Sequence, residues 1–208
     1  MSFENSVFIN CPFDDKYKEL LWPLLFTIVY FDLEPQISQT ISSGNVRVEE
    51  IKKLIKSSKY SIHDISRCKL SSINDVPRFN MPFEMGLDIG CQTYGHGRLK
   101  SKKCLILETE KYHYQKVLSD ISGQDIKDHN DNTNQLIYKV REWFIAVFNQ
   151  RIAPAEVICD YYSDFVYYTE MTLAKDGYGK RGILGLSLAE YLLFVKPHIA
   201  KIKSNKAN

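Results

Sequence analysis

No stretch of this sequence stays apolar for long enough to cross a bilayer. The longest apolar run, residues 20–31, is shorter than the ~20 residues a spanning helix needs and is broken by Pro23. No membrane segment is expected. The opening Met-Ser-Phe-Glu-Asn has neither the positive region nor the small-residue cleavage site of a secretory leader, so the expected location is the cytoplasm. Charge of one sign is missing too. The 27 Lys and Arg stand against 25 Asp and Glu, a net +2, and that balance calls for neither a nucleic-acid nor an acidic-membrane partner. The five cysteines, Cys11, Cys68, Cys91, Cys104 and Cys159, are odd in number and widely spaced, with no C-x-x-C pair and no histidine at ligand spacing. Neither a disulfide framework nor a zinc site is indicated, and Cys11 and Cys104 read as small hydrophobes in or beside strands. The one glycine-rich stretch, residues 176–182, lacks the G-x-x-x-x-G-K-[ST] spacing of a phosphate loop and follows no strand, so it reads as a flexible connection.

What is present is a chain of 208 residues, 44% hydrophobic, long enough to bury one substantial core. Residues 6–11, Ser-Val-Phe-Ile-Asn-Cys, are a β-branched and aromatic run ending at Pro12, the pattern of a buried strand. A helix over 16–31 follows, with Asp14 or Asp15 at its positive end and Pro23 as a kink or as the sign of a later start. Residues 34–40 form a weaker strand. The segment 46–58 then sets Val48, Ile51, Leu54 and Ile55 against Glu49, Glu50, Lys52, Lys53 and Lys56, the clearest amphipathic helix in the chain. A third strand over 59–65 leads into a polar loop over 66–79 and a helix over 81–93, with Pro82 in its first turn and Gly95 and Gly97 past its end. A fourth strand covers 103–107, and helical stretches cover 114–121 and 134–148 with a polar segment between them. Strands alternating with helices predict an α/β domain over residues 1–150, a flavodoxin-like doubly wound parallel sheet of four to five strands. From Pro154 the pattern is helical, so residues 151–208 are read as a C-terminal helical appendage and as the surface for self-association or a partner protein.

In such a sheet, ligands bind beyond the carboxyl ends of the strands, where the crossovers diverge. A flavodoxin-like order puts that point between the first and third strands, and polar residues gather there. Asn10, Cys11, Phe13, Asp14 and Asp15 follow the first strand; Asp64, Ser66 and Arg67 follow the third; Arg78 and Asn80 lead into the next helix. Glu84 comes in the opening turns of that helix, among Met81, Pro82, Phe83, Met85 and Gly86, a setting that raises a carboxyl group's proton affinity. Each residue also has a plainer reading: Glu84 as a partner of the helix dipole, Asp64 as a tie for the following loop, and His63 as packing against a helix. Arg47, Arg67 and Arg78 read equally as solvated charges, and Phe13, Tyr112 and Tyr114 as core or lid aromatics.

The segments Val-Phe-Ile-Asn-Cys-Pro-Phe-Asp, Tyr-Ser-Ile-His-Asp-Ile-Ser-Arg and Arg-Phe-Asn-Met-Pro-Phe-Glu-Met-Gly resemble a group of bacterial proteins that is similar to TIR-like domains and to nucleoside 2-deoxyribosyltransferases. The resemblance spans residues 7–148. It implies a flavodoxin-like sheet and a glutamate near a helix start that attacks or supports the sugar carbon of an N-glycosidic bond. Glu84 and Gly86 match the Glu-x-Gly of the deoxyribosyltransferase pattern and Asp64 its strand-end aspartate, whereas Asn80, Met81 and Pro82 stand where that pattern has Gly-Thr.

Three functions follow as expectations. The first is hydrolysis of NAD or a related nucleotide, with Glu84 catalytic, Asn10 and Asp64 on ribose hydroxyls, Arg67 or Arg78 on phosphates and Phe13 stacked on a base; Ser66 and Asn80 complete the ligand-binding set. By its resemblance to bacterial TIR proteins, such an NADase would serve anti-phage defence. The second is base exchange on deoxynucleosides, and the third is a nucleotide-sensing or assembly module without turnover. In all three the partner is a small-molecule nucleotide, with NAD a substrate rather than a cofactor and no metal implied.

Overall fold

The computed structural model describes residues 2–38, 47–68, 79–116, 118–121, 123–124 and 126–207. Five strands, β1 (Ser6–Asn10), β2 (Glu34–Ile37), β3 (Tyr60–Asp64), β4 (Lys103–Glu108) and β5 (Ile126–Asp128), form one parallel sheet in the order β2-β1-β3-β4-β5. This is the flavodoxin-like, doubly wound arrangement. All five residues of β1 and of β3 are buried, polar ones included, as in strands covered by helices on both faces. The pairing Asn10↔His63 sets the tips of β1 and β3 side by side. The chain leaves β1 toward β2 on one side and returns at β3 on the other, so the divergence of crossovers falls at those tips.

Alternation along the strands sorts the core onto two faces. Val7, Ile9, Ile62, Leu105 and Leu107 pack with α1 (Lys18–Tyr30) and α4 (Thr133–Phe148). Phe8 meets Ile51 and Ile55 of α2 (Arg47–Ser57), and Ile106 meets Met81 and Met85 of α3 (Asn80–Tyr94). The helix α1 is buried over every residue from Leu20 to Tyr30, which one sheet face alone would not achieve. Its outer side is covered by α5 (Ala155–Lys175) and α6 (Leu188–Ala207), whose Phe165, Leu173, Tyr191, Val195 and Ile199 belong to the same core as Val7 and Ile62. The C-terminal helices are therefore a layer of the core rather than a separate body. Burying side chains the size of Phe165 and Leu173 is worth ~1.5–3 kcal/mol each.

Polar contacts fix that layer in place. Trp22 stacks on Tyr191 with ring centroids 4.3 Å apart and planes 7° from parallel. The Tyr191 hydroxyl donates to the Trp22 carbonyl at 2.7 Å, and Trp22 Nε1 donates to the Ile183 carbonyl at 3.1 Å. Lys18 Nζ donates to the carbonyls of Leu184 and Leu186. The segment just past the glycine-rich connection is thus held against α1, and Gly182 at the end of that connection is required. Its φ is +49°, and a Cβ there would strike the Glu170 carboxylate, which accepts the Ile183 N–H at 2.8 Å.

Pro23 lies inside α1 and does not break it. Lacking an N–H, it leaves the Glu19 carbonyl without its usual partner four residues on, and Thr133 Oγ1 at the start of α4 donates there instead, at 3.2 Å. Other boundaries differ from the sequence reading. Helix α1 starts at Lys18 after a 3-10 turn, Asp15–Tyr17, capped by Asp14. The expected helix over 114–121 is two 3-10 turns, His113–Lys116 and Ser119–Ile121. The fifth strand falls in the segment read only as polar, because three half-buried residues at a sheet edge leave almost no pattern. The polar turn at 42–45 and most of the loop over 66–79 lie outside the described residues.

Candidate functional site

Two buried polar networks meet at the tips of β1 and β3. On the α2 and α3 face, Asn10 Nδ2 donates to His63 Nδ1 at 2.9 Å and to the Met81 carbonyl at 2.8 Å. His63 Nδ1 is therefore an acceptor, and the ring hydrogen sits on Nε2, 3.0 Å from Asp88 Oδ2. The other Asp88 oxygen pairs with Lys102 Nζ at 3.0 Å, and Lys102 also donates to the carbonyls of Ile55 and Ser58, closing the end of α2. Burial alone would raise the Asp88 pKa, but His63 and Lys102 overcome it and hold the group at about 2. For His63 burial opposes charge, while Cys104 and Asp88 outweigh it and push the pKa up to about 9. A proton on Nδ1 would face the Asn10 amide nitrogen, so charging the ring requires that amide to turn over and release Met81. The bonds present are those of the neutral ring.

On the α1 and α4 face the centre is Asp64, fully buried. It accepts from the Tyr17 hydroxyl, from His129 Nε2 at 3.0 Å and from the Ser66 N–H at 2.9 Å. Burial pushes the Asp64 pKa upward, and these donors, His129 foremost, bring it below the ordinary carboxylate value. His129 follows β5, and its Nδ1 accepts the Asp131 N–H at 3.1 Å, which leaves Nε2 to face Asp64. Burial disfavours charge on His129, yet Asp64 raises its pKa. Asp64 thus binds the start of α1, the loop after β5 and its own turn to the tip of β3. Its oxygens are spent on the chain's own donors rather than held open for a ribose.

Between these networks lies Glu84, 6% exposed, on the first turns of α3. Burial raises its pKa, and the Arg47 guanidinium partly offsets that effect. Among the described residues no hydrogen bond reaches its carboxylate, in contrast to Asp64 and Asp88. The Cys11 thiol, fully buried one residue past β1, has its pKa pushed up by burial and then by Asp64, Glu84 and Asp14 together. Residues from the β1 tip, the β3 tip and α3 are therefore electrostatic neighbours around one point, the divergence of the crossovers.

The remaining expected site residues are spread around that point. Asn10 is buried, with its amide nitrogen engaged as described. Ser66 is buried beside Asp64, to which its N–H donates. Arg67 is half-buried and near enough to Tyr17 to lower its phenol pKa against the larger effect of burial. Asn80 is exposed at the start of α3. Phe13 lines a cavity of about 370 Å³ with Trp22, Leu186 and Leu188. Arg78 lies outside the described residues. Tyr114 is a core residue, and Tyr112 is exposed.

Sequence reasoning missed Tyr17, Asp88, Lys102 and His129. Asp88 carried a signal, since it stands four residues after Glu84 and so shares its helix face. The other three are joined to the site only by the folding of distant segments.

Ligand atoms of His63, Asp88 and Cys104 lie within 4.8 Å of one another. Metal ligation through His63 Nε2 would place hydrogen on Nδ1, opposite the Asn10 amide nitrogen, and Lys102 already neutralises Asp88. The trio is a proton and charge network rather than a ligand set. Among the described residues no helix is long and apolar enough to cross a membrane. The chain is in these respects a doubly wound α/β protein with a buried carboxyl group at its topological switch point. Comparisons with protein-family models, with curated proteins and with solved structures found no match.

Proposed function

We propose that this chain cleaves the N-glycosidic bond of NAD or a related nucleotide, with Glu84 as the catalytic carboxylate. The observation that carries the reading is the burial of Glu84 at the β1 and β3 tips with no donor among the described residues to satisfy it. Departure of the base builds positive charge on the ribose ring. A carboxylate largely, though not wholly, withdrawn from water gains more from that charge in the transition state than from the neutral substrate, which is the condition for rate acceleration. The same group can capture the sugar covalently before water attacks. In this reading Arg47 keeps a working fraction of Glu84 ionised, and the Asn10, His63 and Asp88 chain holds α3 at a fixed height over β1. Resemblance to bacterial TIR proteins extends the proposal to NAD depletion in defence against phage.

The test incubates purified protein with NAD and, separately, with deoxynucleosides plus a free base, comparing wild type with Glu84→Gln. The expected outcome is base release from NAD without any acceptor, reduced at least about a hundredfold by the substitution. Activity requiring an acceptor base assigns the chain to transfer instead. Saturable nucleotide binding with no turnover, unchanged by Glu84→Gln, refutes catalysis and leaves a sensor.

A further inference from the structure

Further along α3 from Glu84, α2 and α3 line a cavity of about 510 Å³ that runs from Leu87 to the turn before β4. Its floor is apolar, made by Ile55 from α2, Leu87, Gly90 and Cys91 from α3 and Leu99 from the turn before β4, and the exposed Tyr94 and His96 also line it. The volume lies within the ~300–1,000 Å³ typical of small-molecule sites. Glycine makes the room. A Cβ on Gly90 would meet only a Tyr94 ring carbon, at 4.0 Å, so the space above it is open, while a Cβ on Gly95 would strike the Cys91 carbonyl and Leu99.

The mouth is basic, and its charges are not equivalent. Lys52 and Lys53 are held by Glu49 and Glu50 at 2.6 Å each, and Lys59 by Glu4 at 2.6 Å. Lys56 has no carboxylate partner among the described residues and lies at the cavity wall, close enough to Cys91 to work against the rise that burial imposes on its thiol pKa. One free ammonium over an apolar floor matches a ligand with one negative charge and an apolar body. Among the described residues no arginine lines the cavity, so a phosphate dianion would lack the bidentate guanidinium partner it commonly recruits.

We propose that this cavity is a second ligand site that takes a small amphipathic monoanion, an alkyl chain bearing a carboxylate, with the chain on Ile55, Leu87, Gly90 and Leu99 and the carboxylate at Lys56. The site is independent of the reaction assigned to Glu84.

The test titrates decanoate, and separately 1-decanol, into the full chain by calorimetry. Decanoate is expected to bind saturably at one equivalent and more tightly than the alcohol. Gly90→Phe fills the cavity from a helical position with open space, so it should keep the melting temperature and abolish binding. Lys56→Glu, an exposed change that cannot unfold the protein, should weaken decanoate about tenfold and leave decanol unchanged. Absence of saturable decanoate binding up to about 1 mM, several equivalents bound, or indifference to both substitutions overturns the proposal. Equal weakening of decanol by Lys56→Glu also overturns it, because the charge would then have no role in recognition.

Discussion

Replacing Asp88 with asparagine removes one charge from the centre of the network beneath Glu84 and keeps the shape. Asp88 is 1% exposed, so its depressed pKa converts to stability without a discount for solvent. A fall from 3.8 to about 2 corresponds to roughly 2–3 kcal/mol favouring the folded state when the group is ionised. The substitution does more than forfeit that, since it leaves the Lys102 ammonium buried without its counter-charge. Breaking a buried pair from one side costs about 3–5 kcal/mol, or a loss of about 6–20 °C in melting temperature for a chain of this size. Asparagine still accepts from His63 Nε2, so the deficit is electrostatic. The pH dependence has a definite sign. A carboxyl group with a lowered folded-state pKa stabilises the fold above its unfolded value and loses that contribution as pH falls toward about 2, with roughly half gone by pH 3. Thermal melts of wild type and Asp88→Asn should therefore differ most near pH 6–7, with a gap that narrows below about pH 4.5 and is roughly halved by pH 3. Adding Lys102→Met should recover part of the loss, limited by the two carbonyls that lysine serves. A melting temperature within about 2 °C of wild type at pH 7, or a gap that does not narrow in acid, would refute the account of a charge-paired network.

Three further expectations concern single side chains. Because burial raises the Glu84 pKa, the protonated group costs nothing below the ordinary carboxylate range, and the penalty grows from there up to the folded-state value and is constant above it. Glu84→Gln should then be at least as stable as wild type at pH 8, with the advantage vanishing near pH 4, and a variant less stable at pH 8 than at pH 4 relative to wild type contradicts the burial argument. Tyr17→Phe removes a hydroxyl donor to the ionised Asp64 and should cost about 1.5–3 kcal/mol in urea unfolding, and a change below about 0.5 kcal/mol would show that bond to be idle. Gly182→Ala meets both a positive φ and the Glu170 carboxylate, so it should destabilise the protein by more than Gly177→Ala, where φ is also positive but nothing lies within 4 Å; equal losses would remove the steric part of that argument.

The α/β class and the parallel order came from local chemistry that any window of the sequence exposes. Val7, Phe8 and Ile9 before Pro12, the amphipathic segment around Ile51 and Ile55, and the buried run around Ile62 each declare their element through periodicity. The short strand Ile126–Asp128 did not, because three half-buried residues carry no period. The layer formed by α5 and α6 was legible as helix but not as core. Whether Tyr191 stacks on Trp22 is decided by contact between residues far apart in the chain, which no local pattern records.

The same division holds at the candidate site. Sequence alone marked Glu84 as a carboxyl group in apolar company, and its depth and neighbours depend on how α3 lies over β1, fixed by Asn10 reaching Met81. It marked Asp64 as polar at a strand end, and only the fold could decide that Tyr17, His129 and Ser66 would occupy it. Side-chain type and helix or strand period are properties of the chain read a few residues at a time. Desolvation and hydrogen-bond partnership are properties of the space between segments, and for these carboxyl groups that space sets the proton affinity.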